Sequence, residues 1–138
     1  MTTVYSYSYD ATAGTLGARK TLITGMSNSG HNTRTLLTSK KNPDLLVVAV
    51  GSNANIDAAT SQQNSGRSQF RIFSIAKISQ ASVAYTTGEV FAWGLRNSVG
   101  IAEHPLTGGI VSFPSHLTNP QNLMIRNVVV TRLTLLTH

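Results

Sequence analysis

Apolar and polar residues alternate along most of the chain with the period of two that is typical of β-strands. The segment VYSYSYD, residues 4–10, alternates aromatic side chains with serine as a half-buried strand does, and ARKTLITG, residues 18–25, predicts the strand that returns after the turn ATAGTLG. The runs TRTLLTS and LLVVAVGS flank KKNPD, in which Asn42 and Pro43 predict a second turn. Because LLVVAVGS is apolar at successive positions, both of its faces should be buried, as in an interior strand.

The second half of the chain continues this pattern. NANIDAATSQQNSG, residues 53–66, predicts a long polar loop, and the alternating run RSQFRIFSIAK, residues 67–77, predicts a strand. GEVFAWGLRN and VGIAEHPLTGGI add two short β-like stretches. No run of ten or more residues has a clear 3.6-residue period, although residues 122–138 are compatible with helix or strand. Short strands separated by frequent turns favour an all-β sandwich, barrel or propeller.

Composition and charge narrow the class of partner. Of the 138 residues, 41% are apolar and only 12% are charged. The net charge is +6, yet no basic run exceeds two residues, whereas a nucleic-acid interface needs a basic stripe. We therefore expect no nucleic-acid partner. The absence of cysteine from the sequence excludes disulfides and thiolate metal ligands.

Targeting segments are not predicted. No run approaches the roughly 18 consecutive apolar residues of a membrane-spanning helix, so we expect no membrane span. The first residues, MTTVYSYSYDATAGTLG, have neither a basic region nor the apolar core of a secretory signal. The sequence therefore leaves the location of the chain undetermined.

The NANID stretch has oxygen-bearing side chains at alternate positions, Asn53, Asn55 and Asp57, as the calcium loop of an EF-hand does. That loop also requires glycine at its sixth position and an acidic residue at its twelfth, where this chain has Ala58 and Asn64. The stretch is therefore interpreted as a polar loop rich in Asx turns.

Candidate chemistry begins with histidine, which can exchange a proton near neutral pH. The chain has four, at positions 31, 104, 116 and 138, and their spacing matches no metal site. The residues alone leave open whether His31 is a catalyst or a hydrogen-bonded loop residue. Arg96 and Asn97 follow the strand that carries the only tryptophan, and they either bind a ligand or solvate the rim of a turn.

Four segments, taken in order, resemble a known family: GHNTRTLL, DLLVVAVGSNANID, GRSQFRIFSI and TGEVFAWGLRNSVGIAEHPLTGGI. They are similar to the glucose/sorbosone dehydrogenases, which are β-propellers dependent on pyrroloquinoline quinone (PQQ), and most similar to the fungal L-sorbosone or pyranose dehydrogenase-like branch. The resemblance covers about residues 1–110. Blades of about 40 to 50 residues would give a partial propeller of two to three blades.

The resemblance implies an oxidoreductase in which a sugar hydroxyl carbon gives a hydride to the quinone. By position in the motif, His31 matches the general base that takes the hydroxyl proton. Arg96 and Asn97 match the pair that contacts the quinone, where a guanidinium suits carboxylates and developing negative charge. Calcium is a second cofactor of the family, and its members are typically extracellular. The particular sugar and the external electron acceptor are not implied.

The resemblance ends after the GGI of residues 108–110. The family continues with an acidic loop and with carbonyls that hold calcium, whereas residues 111–138 contain neither an acid nor a glycine. We expect this divergent tail to be a translated intron or a shifted frame in a truncated gene product, which the transcript across the Gly109 codon would test. The chain by itself should then lack the calcium segment and be inactive. The alternative is a non-catalytic β-rich binding or structural domain in which His31 and Arg96 only stabilise loops.

Overall fold

The computed structural model describes residues 2–26, 28–114, 124–125 and 128–130, and these residues are mostly β-strand. The strands are β1 (Val4–Asp10), β2 (Thr15–Thr24), β3 (Leu36–Thr38), β4 (Leu45–Val50), β5 (Gln69–Ser74), β6 (Val83–Ala84), β7 (Glu89–Trp93), β8 (Ser98–Glu103), β9 (Ile110–Pro114), β10 (Met124–Ile125) and β11 (Val128–Val130). One α-helical turn, α1, covers Ile75–Ile78, and 3₁₀ turns cover Ala58–Ser61, Gln63–Ser65 and Tyr85–Thr87. The predicted all-β class is confirmed.

The strands form three sheets within the described residues. The central sheet has the order β10-β7-β5-β4-β3, and its strands β3, β4, β5 and β7 pair antiparallel with their successive neighbours. A four-stranded antiparallel sheet of this kind is the unit of a propeller blade. The other sheets have the orders β1-β2-β6 and β11-β9-β8. In the part of the chain that is described, no sheet closes into a barrel.

Strand β4 is the centre of the packing, as its apolar run predicted. Val48 and Val50 belong to a core that also contains Ile23 and Tyr85, whereas Val47 belongs to a second core on the opposite face. Alternate side chains of a strand point to opposite faces, so β4 contributes to both cores. The prediction of an interior strand is confirmed.

The first hairpin differs from its prediction in two ways. Strand β2 begins at Thr15, because Asp10 closes a four-residue turn by accepting hydrogen bonds from the Thr12 and Ala13 amides at 2.9 and 3.0 Å. The strand β1 is also more exposed than a half-buried strand. Tyr9 is 65% exposed, although Val4 at the other end is buried in the core.

The strand predicted over residues 67–77 ends early. Ser74 accepts a hydrogen bond from the Lys77 amide at 3.2 Å, which is the contact of a helix N-cap. Asp44 accepts a further bond from the Ala76 amide at 2.7 Å. In a continued strand these two amide groups would need acceptors on a neighbouring strand. Here the Ser74 and Asp44 side chains accept their hydrogen bonds, so the chain turns into α1 after β5.

One edge of the central sheet gathers the loops that carry the candidate residues. The register pairs Leu36 with Val48, and Gln69 with both Val50 and Trp93. Strands β3 and β5 therefore begin where β4 and β7 end. We call this the loop edge; it bears the loops of residues 28–35, 51–68 and 94–97.

Candidate active site at the loop edge

The three residues singled out in the sequence surround Gly51, the first residue after β4. A Cβ atom placed on Gly51 would lie 3.0 Å from the Cβ of His31 and 3.1 Å from Oδ1 of Asn97. It would lie 2.9 Å from the carbonyl oxygen of Arg96. The three loops of the loop edge therefore meet at Gly51, which has no side chain. The structure thus places the Arg96 backbone, the His31 Cβ and the Asn97 side chain around one residue.

His31 is held by Ser52, which sequence reasoning did not select. The imidazole Nδ1 lies 3.0 Å from the carbonyl oxygen of Ser52 and 2.9 Å from its Oγ. The Ser52 hydroxyl donates its proton to the carbonyl of Ala54 at 2.8 Å, so both Ser52 oxygens act as acceptors toward His31. The neutral imidazole must therefore carry its proton on Nδ1, which leaves Nε2 as the basic nitrogen.

Arg34 fixes the backbone on both sides of His31. It is buried, and it donates hydrogen bonds to the His31 carbonyl at 2.8 Å and to the Met26 carbonyl at 3.0 Å. A third bond reaches Oδ1 of Asn28 at 3.0 Å. Burial lowers the pKa of Arg34, yet guanidinium remains charged at any ordinary pH. Its spacing of three residues from His31 is a signal that the sequence analysis passed over.

The stretch of residues 52–57 lies directly against the His31 loop. Oδ1 of Asn53 accepts a hydrogen bond from the Ser29 amide at 2.7 Å. A Cβ on Gly30 would lie 1.5 Å from the Asn53 carbonyl oxygen, so only glycine allows this approach. The two loops therefore form one packed unit.

Asp57 organises the same stretch from its far end. Its carboxylate accepts hydrogen bonds from the Asn53 amide at 2.6 Å, from the Ala59 amide at 3.2 Å and from Arg67 at 2.9 Å. Burial alone would raise the pKa of Asp57, but these bonds and the Arg67 charge outweigh it and lower the pKa. The carboxylate is therefore charged at neutral pH and holds residues 53–57 in one conformation.

Arg96 and Asn97 present polar atoms that are buried and unpaired. The Arg96 carbonyl accepts a hydrogen bond from the Ser52 amide at 2.7 Å, which fixes the backbone of this turn. Nε of Arg96 and Oδ1 of Asn97 are buried without a hydrogen-bond partner among the described residues. A buried donor or acceptor without a partner costs about 1–3 kcal/mol, so such atoms are typical of a ligand or water site. The Arg96 donor fits a carbonyl or carboxylate oxygen of a ligand, whereas the Asn97 acceptor requires an N–H or O–H group.

Of the other three histidines, the structure describes only His104. His104 lies just beyond the end of β8, and its Nδ1 accepts a hydrogen bond from the Thr107 amide at 3.2 Å. His116 and His138 lie outside the described residues. No group of three or more His, Cys, Asp and Glu side chains that could hold a metal ion occurs in the described part of the chain. No helix in that part is long and apolar enough to cross a membrane.

Comparisons with known proteins identify the family. The sequence model of the TrAA12-like family matches residues 1–130. This chain belongs to that family. Among curated relatives, the PQQ-dependent pyranose dehydrogenase of Coprinopsis cinerea is 43% identical over 122 residues, which are 87% of this chain and 17% of the relative. The PQQ-dependent sugar dehydrogenase of Hypocrea jecorina is 40% identical over 113 residues, 79% of this chain and 26% of the relative.

Solved structures show the same relationship. The calcium structure of the Trichoderma reesei carbohydrate-active enzyme of family AA12 has a TM-score of 0.76 and 39% identity, covering 79% of this chain and 28% of that one. The holo form of the pyranose dehydrogenase PQQ domain from C. cinerea has a TM-score of 0.74 and 44% identity, covering 79% of this chain and 27% of that one. The predicted relationship to fungal PQQ-dependent sugar dehydrogenases and the partial β-propeller fold are confirmed. The chain spans about a quarter or less of the curated relatives.

Proposed function

We propose that this chain is the segment of a PQQ-dependent sugar dehydrogenase that carries the general base and part of the quinone site. The observation that supports this proposal is the convergence of His31, Arg96 and Asn97 around Gly51 in a TrAA12-like chain. PQQ, when bound, supplies a two-electron acceptor for the oxidation of a sugar hydroxyl to a carbonyl. The other sections of the propeller would complete the site, since this chain spans 17% and 26% of its curated relatives.

His31 acts as the general base in this proposal. Its Nε2 makes no hydrogen bond to any residue of the described chain, and the side chain is only half-buried, so a substrate hydroxyl can reach it. When Nε2 takes the hydroxyl proton, the new imidazolium keeps its Nδ1 proton on the two oxygens of Ser52. A positioned base of this kind accelerates proton transfer by about 10²- to 10⁴-fold.

Arg96 and Asn97 hold the quinone in this proposal. Nε of Arg96 would donate to a carboxylate or carbonyl of the cofactor, and a charge-assisted hydrogen bond is about twice as strong as a neutral one. Oδ1 of Asn97 would accept from a ring N–H or from a bound water. Residues outside the first 110 would hold the calcium ion in this proposal.

Titration with PQQ tests the cofactor assignment. Trp93 is the only tryptophan, it lies just before the 94–97 loop, and its Nε1 donates to the Thr60 carbonyl at 2.9 Å. PQQ added with calcium should quench its fluorescence, after correction with free tryptophan for absorption by PQQ. Arg96→Gln should weaken binding about tenfold, because a charge-assisted hydrogen bond is lost. His31→Gln should keep the affinity. Failure of PQQ to quench the wild-type protein, or an unchanged Kd in Arg96→Gln, would count against the proposal.

The protonation site of His31 tests the general-base assignment without turnover. In ¹⁵N-edited NMR spectra at a pH where the ring is neutral, His31 should be protonated on Nδ1, because both Ser52 oxygens accept from that atom. His104 is an internal control of the opposite kind, since its Nδ1 accepts the Thr107 amide and its proton must lie on Nε2. His31→Gln and His104→Gln assign the signals. An Nε2–H tautomer of His31 would favour the alternative of a non-catalytic domain.

A further inference from the structure

The polar side chains at alternate positions of residues 53–57 have no role in the proposed site so far, and they do not form a calcium loop. Asn53 and Asp57 hold the stretch in place, as their hydrogen bonds to the Ser29 amide and to Arg67 show. Asn55 lies between these two anchors, and its side chain is exposed. The two anchors hold the backbone at Asn55, so its exposed side chain is positioned only by its own contacts.

The side chain of Asn55 is bonded to the proposed quinone residue Arg96. Nη2 of Arg96 donates a hydrogen bond to Oδ1 of Asn55. Because the guanidinium is planar and rigid, a bond at one Nη fixes the plane of the whole group, including Nε. That Nε is the buried donor that has no partner among the described residues.

We propose that Asn55 is a positioning residue that orients the Arg96 guanidinium for an anionic group of the quinone. The amide is well suited to this task, because its oxygen accepts a hydrogen bond and leaves the positive charge of Arg96 in place. A carboxylate at this position would neutralise that charge. Through Ser52 and Asn53 the same stretch also contacts His31 and its loop. Residues 52–57 therefore contact both the proposed general base, His31, and the proposed quinone-binding residue, Arg96. This inference rests on the proposed function of Arg96.

Replacement of Asn55 measures this role. Asn55→Ala should weaken PQQ binding about tenfold in the Trp93 titration, because an arginine free to rotate loses entropy when it binds. The melting temperature of the protein without PQQ should stay unchanged, since Asn55 is exposed. Asn64→Ala is the matched control, because Asn64 is also exposed in the 53–66 loop and its side chain has no hydrogen-bond partner among the described residues. It should bind PQQ as the wild type does.

A double-mutant cycle separates positioning from a general effect on the loop. If Asn55 acts through Arg96, then Asn55→Ala should have no further effect on the Kd when Arg96→Gln is already present. An Asn55→Asp variant should also bind PQQ more weakly than wild type, because the added charge opposes the anion. The inference would be overturned if the effects of the two substitutions were additive, or if Asn55→Ala bound PQQ with wild-type affinity. In either case, weaker binding by Arg96→Gln would leave the proposed function intact. An unchanged Arg96→Gln would overturn both.

Discussion

Replacement of Gly51 by alanine should lower the affinity for PQQ by at least about tenfold and destabilise the protein by about 1–3 kcal/mol. The added methyl group would lie 2.9 Å from the Arg96 carbonyl oxygen and 3.0 Å from the Cβ of His31. Both contacts are closer than ordinary van der Waals packing, and neither atom is the end of a flexible side chain. The substitution must therefore move the two loops apart. The Trp93 titration and urea unfolding measure the two effects.

Gly17→Ala is the matched control for this prediction. A Cβ on Gly17 would meet Oγ of Ser8 at 2.1 Å, but this hydroxyl can rotate away, and the next atom lies at 3.5 Å. Gly17 also lies in β2, far along the chain from the loop edge, and alanine suits a strand at least as well as glycine. We expect wild-type PQQ affinity in Gly17→Ala. Equal losses of affinity in the two variants would show that Gly51 has no special place at the site.

Replacement of Arg71 by methionine should reduce the free energy of unfolding by about 3–5 kcal/mol, a large part of the 5–15 kcal/mol typical of a domain. Arg71 is only 4% exposed, although it is charged. Its guanidinium donates to the carbonyls of Gln63, Thr86 and Gly88 and to the Gln69 side chain at 2.7–3.0 Å. Methionine would fill the space but would take the arginine donor from all four oxygens, of which the Gln63 carbonyl keeps its bond from the Gln69 side chain.

Arg19→Met provides the comparison for Arg71→Met in urea unfolding. Arg19 is exposed in β2, and its guanidinium lies 4.5 Å from the centre of the Tyr5 ring. Loss of an exposed cation–π contact should cost no more than about 1 kcal/mol. Arg71→Met should also weaken PQQ binding, because Gln63 belongs to the loop that carries Asn53 and Asp57. A loss of stability in Arg71→Met no larger than that in Arg19→Met would contradict the assigned role of the buried guanidinium.

Regular alternation made the strands predictable, and local side-chain contacts set their ends. The apolar run of β4 indicated burial on both faces, because no polar side chain interrupts it. The end of β5 was not predicted, since Ser74 and Asp44 cap α1 through hydrogen bonds that a period-two pattern does not contain. The alternating pattern of β5 also did not predict that Arg71 is buried. An arginine within an alternating strand is normally on the solvent side.

The candidate site was found only in part from the sequence. His31, Arg96 and Asn97 were selected because they match the motifs of a family, and the structure places them around one glycine. Ser52, Arg34 and Asn55 were missed, although each is bonded to one of those residues. Arg34 is marked only by its spacing from His31, and no local motif marks Ser52 or Asn55. A serine, an arginine and an asparagine in polar loops are too common to indicate a role.

The sequence by itself determined the β-class, the interior strand, the choice of candidate site residues and the relationship to PQQ-dependent sugar dehydrogenases. Only the tertiary structure decided which atom of His31 is basic and which group orients Arg96. The physical reason is distance along the chain: His31 meets Ser52 across 21 positions, and Arg96 meets Asn55 across 41. A periodic pattern specifies which face of a strand is apolar, whereas a hydrogen-bond partner is set by the register of other strands and by how their loops pack.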